Sequence, residues 1–263
     1  MTFSFKKALL GATALLVLGT TAFANTVLKV GASPVPHAEI LNSVKDRLAK
    51  EGVDLQVVEF TDYVTPNLAL NDGELDANYF QHIPYLEKFC EEKGTKLTSA
   101  GGVHVEPIGV FSEKLKSIND IPEKATVAIP NDPTNGGRAL ILLHNAGIIT
   151  LADPTNLYAT EFDIAKNPKK LKFNVLEAAQ LPRVLKDVDI AVINGNYALE
   201  AGLSPVKDAL LLEGKESPYI NIVAVKEGNE KNPDIVKLIN VLQSPETAKF
   251  INDTYNGAVV PAF

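Results

Sequence analysis

The sequence is poor in the features by which a chain usually declares its chemistry. It has a single cysteine, Cys90, which excludes an internal disulfide. Cys90 stands between Phe89 and Glu91-Glu92 in a helical run with no electropositive setting, so it reads as a half-buried structural thiol. Positive charge is the scarcer sign: 25 Lys and Arg face 32 Asp and Glu, for a formal charge of −7. That balance does not suit nucleic acid or anionic lipid as a partner. There is no Gly-x-Ser-x-Gly elbow, no phosphate loop and no His-Glu-x-x-His zinc motif. The four histidines, at 37, 82, 104 and 144, share no metal-ligand spacing, so neither a metal nor another cofactor is expected. His144 falls in an apolar helical run and reads as a packed structural residue. Nothing recommends an enzyme, although a hydrolase using Cys90 or a histidine stays open as the weaker alternative.

No apolar run is long enough to span a bilayer. The N-terminal one, residues 8–19, has 12 residues, well short of the ~20 that a spanning helix needs. Lys6 and Lys7 precede it, and Thr20-Thr21-Ala22-Phe23-Ala24 closes it with small residues. These are the three parts of a secretory signal peptide cleaved after Ala24. Residues 1–24 are therefore set aside as an export signal.

The remainder alternates short apolar runs with helical patterns. Leu28-Lys29-Val30-Gly31-Ala32 reads as a strand. A helix follows from about Ala38, with Leu41, Val44 and Leu48 on one face and Gly52 as its stop. Residues 55–60 form a second strand, so the sheet is at least partly parallel. Further strands are expected at 75–80, near Leu97, and at 125–129, 171–176, 189–193 and 208–213. Pro233 and Pro245 announce two terminal helices. Residues 103–111, interrupted by Pro107, look like an extended connection leaving a first α/β lobe, and residues 219–225 like a return crossing. Two α/β lobes joined by crossings enclose a cleft, and ligands of open α/β sheets bind beyond the carboxyl ends of the strands. Tyr63, Phe80, His82, Arg138 and Asn194 all fall just after expected strands, which is the main argument for a site between the lobes.

The stretch Asn131-Asp132-Pro133-Thr134-Asn135-Gly136-Gly137-Arg138 stands out. It reads as a strand-to-helix turn, with Arg138 in the first turn of a helix whose apolar run begins at Ala139. A helix N-terminus attracts anions, arginine offers a planar fork for a carboxylate, and paired glycines let a ligand approach the backbone. The expectation is a carboxylate site; the competing reading is a solvated or internally paired arginine. Tyr63, Phe80 and His82 supply flat, semi-apolar groups suited to an apolar or thioether side chain, or else to ordinary packing. His104 and Glu106 on the outgoing crossing, and Asn221 on the return, can face the cleft. Asn194 and Asn196 offer amide oxygens to an ammonium group, or serve as turn residues.

Several of these segments together carry a resemblance. Asp62-Tyr63-Val64-x-Pro66-Asn67, Asp76-Ala77-Asn78-x-Phe80-Gln81-His82-x-Pro84-Tyr85-Leu86, Pro130-Asn131-Asp132-Pro133-Thr134-Asn135-x-Gly137-Arg138 and Lys215-Glu216-Ser217-Pro218-Tyr219-x-Asn221 resemble the methionine-binding proteins of methionine ABC importers, the MetQ/NlpA lipoprotein family. Gln180-Leu181-Pro182-Arg183 and Ala191-Val192-Ile193-Asn194 match as well. The resemblance implies a periplasmic-binding-protein type 2 fold, with two α/β lobes closing on free methionine. Lobe 1 is placed at 25–107 plus 224–263 and lobe 2 at 108–223, with hinges near 105–112 and 217–226. It implies Arg138 as the carboxylate clamp, Asn194 and Asn221 as polar partners of the amino acid, and Tyr63, Phe80 and His82 as its side-chain pocket. His104, Glu106 and Asn135 are carried over as secondary candidates. The implied partners are a membrane permease and its ATPase; another apolar amino acid or a methionine-containing peptide remains an alternative ligand. One departure stands out. Ala22-Phe23-Ala24-Asn25 occupies the place of the family's lipidated cysteine, so the expectation is a periplasmic protein that is not lipid-anchored.

Overall fold

In a computed structural model of the chain, residues 25–214 and 217–263 are described. The expected signal peptide lies outside them. Strand β1 (Thr26–Ala32) is followed by α1 (Glu39–Lys50), whose buried Ile40, Leu41, Val44 and Leu48 make one stripe. Gly52, at φ +81°, lets the chain reverse into β2 (Val53–Glu59). β1 and β2 pair in parallel from Thr26↔Val53 to Ala32↔Glu59. Helix α2 (Thr65–Asp72) leads to β3 (Ala77–His82), parallel to β1, and then α3 (Ile83–Lys93) leads to β4 (Leu97–Val105).

Residues 106–108 carry the chain to β5 (Gly109–Phe111), in a second sheet. There follow β6 (Thr126–Pro130), α4 (Pro133–Asn145), the small β7 (Thr150–Leu151) and β8 (Ile164–Lys166) ribbon, and β9 (Lys172–Leu176). Next are β10 (Ile190–Ile193), α5 (Gly195–Glu200), α6 (Pro205–Asp208) and β11 (Leu211–Leu212). The chain then returns to the first sheet as β12 (Ile220–Lys226), antiparallel to β3 and β4. It ends with α7 (Pro233–Leu242), α8 (Pro245–Tyr255) and β13 (Val260–Pro261). The larger sheet runs β13-β4-β12-β3-β1-β2 and the other β11-β5-β10-β6-β9.

Each sheet has its own core. Val30, Leu41, Leu48, Tyr79, Val223 and Leu238 pack in the six-stranded half. Val127, Ile129, Leu140, Leu143 and Val192 pack in the five-stranded half. Burying such a side chain contributes roughly 1.5–3 kcal/mol relative to exposure, which makes each half a stable platform for groups on its rim.

Three local expectations change. The helix expected from Ala139 begins at Pro133, because Asp132 caps it: its carboxylate accepts the Asn135 N–H at 2.9 Å and Pro133 takes the first helical position. Arg138 therefore lies in the second turn, not the first. Gly136 and Gly137 sit inside the helix, and a Cβ on Gly137 would lie 2.1 Å from the Leu157 carbonyl oxygen. These glycines admit a neighbouring stretch of backbone rather than a ligand. The strand expected over 208–213 shrinks to β11, because Pro205 opens a short helix and Asp208 accepts the Ser204 N–H at 2.7 Å. The β7–β8 ribbon carried no signal strong enough to be read.

Candidate functional site

The two sheets face each other across a nearly closed void with only about 20 Å³ of room for water-sized occupants. Tyr63, Phe80, His82, Arg138, Asn194 and Asn221 all line it, as do Glu106 and Asn135. His104 stands behind Glu106. The strand register explains part of this convergence: in β12, Asn221 sits between His82 of β3 and His104 of β4.

One end of the void is aromatic. The Tyr63 ring lies 5.9 Å from Phe80 and 5.0 Å from Tyr197, and the Tyr85 hydroxyl donates to the Tyr63 carbonyl at 2.7 Å. The Tyr63 hydroxyl crosses to the other half and donates to Asn196 Oδ1 at 2.6 Å. Beneath this wall Asn67, Asn78 and Gln81 form a buried amide network with bonds of 2.7–2.9 Å. Those three motif residues thus fix α2 against β3.

The other end is polar. His82 caps α3: its Nδ1 accepts the Tyr85 N–H at 3.2 Å, so its proton lies on Nε2, which donates to Asn135 Oδ1 at 3.2 Å. Burial, with Arg138 nearby, lowers the His82 pKa to about 3 and keeps the ring neutral. Asn135 Oδ1 also accepts from Asn194 Nδ2 at 2.9 Å. That bond leaves Asn194 Oδ1 buried without a partner among the described residues, and Asn196 Nδ2 is in the same state. Buried polar atoms are seldom left unpaired, so these two, on the wall of a void, mark a place for a polar ligand.

Arg138 is the internally paired arginine of the two readings drawn from sequence. Its Nε donates to Glu213 Oε1 at 3.0 Å, its Nη2 contacts Glu213 Oε2, and Nη2 also donates to the Glu106 carbonyl at 2.7 Å. The Tyr219 ring covers the guanidinium at 4.3 Å. A two-bond fork grip on a ligand is therefore closed on the Nε/Nη2 edge; only Nη1 is left out of these bonds.

Glu106 on the outgoing crossing is the hub of a second buried group. Its Oε1 accepts from His104 Nε2 at 2.6 Å and lies 3.2 Å from His37 Nε2, and its carboxylate also accepts the Asn196 backbone N–H. Gly195 permits this approach, since a Cβ there would lie 2.9 Å from Glu106 Cβ. The Tyr79 hydroxyl bonds His104 Nδ1, and His37 Nε2 lies 3.0 Å from Asn221 Oδ1. Burial lowers His37 to about 4 and His104 to about 3, and pushes Glu106 up against the opposing pull of His37 and Arg138. The fold thus unites His37, His104 and Glu106, with donor atoms all within 4.8 Å of one another. Such donors are of the type a transition metal takes, a grouping that sequence spacing does not reveal. Here His104 and Glu106 bond each other and His37 Nε2 bonds Asn221, while His37 Nδ1 is without a partner among the described residues.

Sequence reasoning missed His37, Tyr85, Tyr219 and Glu213. Tyr85 and Tyr219 stand within the resembling segments, whereas Glu213 follows a leucine run without any distinguishing pattern. Cys90 lies away from the void, its sulfur taking a hydrogen bond from Thr95 Oγ1 at 3.3 Å. His144 is structural, with Nδ1 accepting the Leu151 N–H at 3.0 Å.

The family model described as NlpA lipoprotein matches residues 28–263. The chain belongs to the NlpA lipoprotein family. It is 42% identical to the D-methionine-binding lipoprotein MetQ of Salmonella typhi over 98% of this chain and 97% of that one. The nutrient binding protein from Burkholderia cenocepacia, solved bound to methionine, is 49% identical with a TM-score of 0.87, over 90% of this chain and 100% of that one. An ABC transporter periplasmic substrate-binding protein from Coxiella burnetii is 44% identical with a TM-score of 0.86, over 89% of this chain and 100% of that one. With these neighbours, the two-sheet architecture is the type 2 periplasmic-binding-protein fold. The relatives are named as binding proteins.

The comparisons correct the expectation that this family member is not lipid-anchored. The family is one of lipoproteins and its relatives carry lipoprotein in their names. A missing cysteine at one position is too little to decide anchoring. That position lies at the edge of residues 1–24, whose structure is not described.

Proposed function

We propose that this family member captures free methionine between its two lobes and delivers it to the permease and ATPase of an ABC importer. The observation that carries the reading is the division of the void: unpartnered polar atoms at one end and an aromatic wall at the other. Arg138 Nη1 and Asn196 Nδ2 would donate to the α-carboxylate, and Asn194 Oδ1 and Asn221 Oδ1 would accept from the α-ammonium. Tyr63 and Phe80 would flank the thioether, with His82 reaching it from the border of the polar end, where its ring lies 6.3 Å from Tyr85, since sulfur packs well on aromatic edges. Glu106, backed by His104, would orient the polar end, and Asn135 would hold His82 and Asn194. A buried carboxylate needs such full pairing.

The lobes are placed at 25–107 plus 224–263 and at 108–223, with the crossings as hinges. The bonds from Tyr63 to Asn196 and from Tyr197 to the Thr61 carbonyl, at 2.6 and 3.0 Å, join the two lobes and would hold them shut over a ligand. The chain is read as a receptor without turnover.

Calorimetry on protein stripped of ligand by unfolding and refolding tests this. L-methionine, D-methionine, leucine and glycyl-methionine are titrated in turn. One saturable site for methionine with no product is expected. Tighter binding of leucine or the dipeptide would move the ligand assignment, and absence of heat with all four would overturn it.

A further inference from the structure

Glu213 is absent from every motif, yet it is tied into the site more firmly than most of the lining. It follows β11, and its N–H donates to the Ile108 carbonyl at 2.9 Å, which fastens it to the outgoing crossing. Its carboxylate straddles the Nε/Nη2 edge of Arg138. The second Nη2 hydrogen goes to the Glu106 carbonyl, and the Tyr219 ring covers one face of the guanidinium. Arg138 is thereby fixed in one rotamer with one nitrogen, Nη1, outside these bonds.

This arrangement also sets the charge of the site. A bare guanidinium buried to 3% exposure would draw the most negative occupant present. Glu213 cancels that charge at contact distance, and burial holds the three nearby histidines neutral. A ligand with a carboxylate alone therefore gains little net attraction, whereas one carrying a cationic group beside its carboxylate gains on both.

We propose that Glu213 is a positioning and specificity-determining residue that orients Arg138 and makes the site select a zwitterion over a simple carboxylate anion. The inference rests on the reading of the void as an amino-acid site. The probes are methionine and 4-(methylthio)butanoate, which has the same chain without the amino group. Affinities of both are measured by competition on wild type, Glu213→Gln and Glu213→Asp, with melting curves alongside.

Glu213→Gln keeps the shape and one acceptor while removing the charge. Its preference for methionine over the desamino acid is expected to fall roughly tenfold, the scale of one partly screened charge. Glu213→Asp is expected to retain most of the preference. A merely structural role would weaken both ligands by the same factor, and that result, or an unchanged ratio, would overturn the inference alone. If wild type bound neither probe, the amino-acid reading would fall and the inference with it. Partial unfolding alters the active fraction but not the ratio, so a less stable variant still discriminates between these outcomes.

Discussion

Replacing Arg138 by Met separates what this residue does for stability from what it does for binding. The side chains of Arg138 and Glu213 are 4% and 16% exposed. Removing one member of such a buried pair costs about 3–5 kcal/mol, because the other charge is left uncompensated. Glu213 retains some contact with water, so the lower end applies. At roughly 2–4 °C per kcal/mol for a chain of this size, the melting temperature should fall by roughly 6–12 °C. Methionine should also bind about 30- to 4,000-fold more weakly, from the ~2–5 kcal/mol of a truncated charge pair. The double variant Arg138→Met/Glu213→Gln no longer strands a charge, so its stability should return to within about 1–2 kcal/mol of wild type. Its methionine binding should stay lost. Thermal melts and calorimetry on the three proteins decide the matter. A single variant that binds within threefold of wild type, or a double variant that regains binding, would refute the role given to Arg138.

Three further outcomes rest on the same geometry. Stability should fall as pH drops from 7 toward 5: His37, His82 and His104 titrate at about 4, 3 and 3 in the fold against about 6.5 when unfolded, so the unfolded chain takes up protons that the fold refuses. Each contributes a slope of up to about 1.4 kcal/mol per pH unit; Glu106, with its raised pKa, acts in the opposite sense, gaining stability as pH falls through its folded value. Urea titrations should show a shallower slope for His82→Gln, and an unchanged slope would contradict a neutral buried His82. Gly137→Ala should destabilise by at least the ~1–3 kcal/mol of an overpacked core, since its Cβ meets the Leu157 carbonyl rather than a yielding side chain; a melting temperature equal to wild type would contradict this packing. Tyr63→Phe removes a bond across the cleft and should weaken methionine binding about two- to tenfold, from ~0.5–1.5 kcal/mol, with little change in the ligand-free melting temperature; equal affinity would remove that bond from closure.

The legible part of the chain was that governed by local rules. Leu41, Val44 and Leu48 at helical spacing, and Gly52 after them, gave α1 and its stop almost to the residue. Asp132-Pro133 was an equally local signal for the start of α4, but the apolar run at Ala139 outweighed it, which misplaced Arg138 by a turn. Tyr63 and Asn194 do follow strands, as alternation implies, whereas Phe80 and His82, expected just after a strand ending at residue 80, lie inside β3, which runs on to His82; all four line the void. Glu213 and His37 were not found. Their partners lie 75 residues away at Arg138 and 184 residues away at Asn221, and no periodicity encodes a contact between elements so far apart in the chain. Spacing likewise hid the approach of His37 to His104 and Glu106, which β4 and the loop after β1 bring together only in three dimensions.

The capture of methionine is tested most directly by native mass spectrometry of the purified protein. One bound mass equal to methionine, lost on unfolding and regained on adding methionine to the refolded protein, is the expected result. A bare protein mass that stays bare in excess methionine would contradict the proposed function.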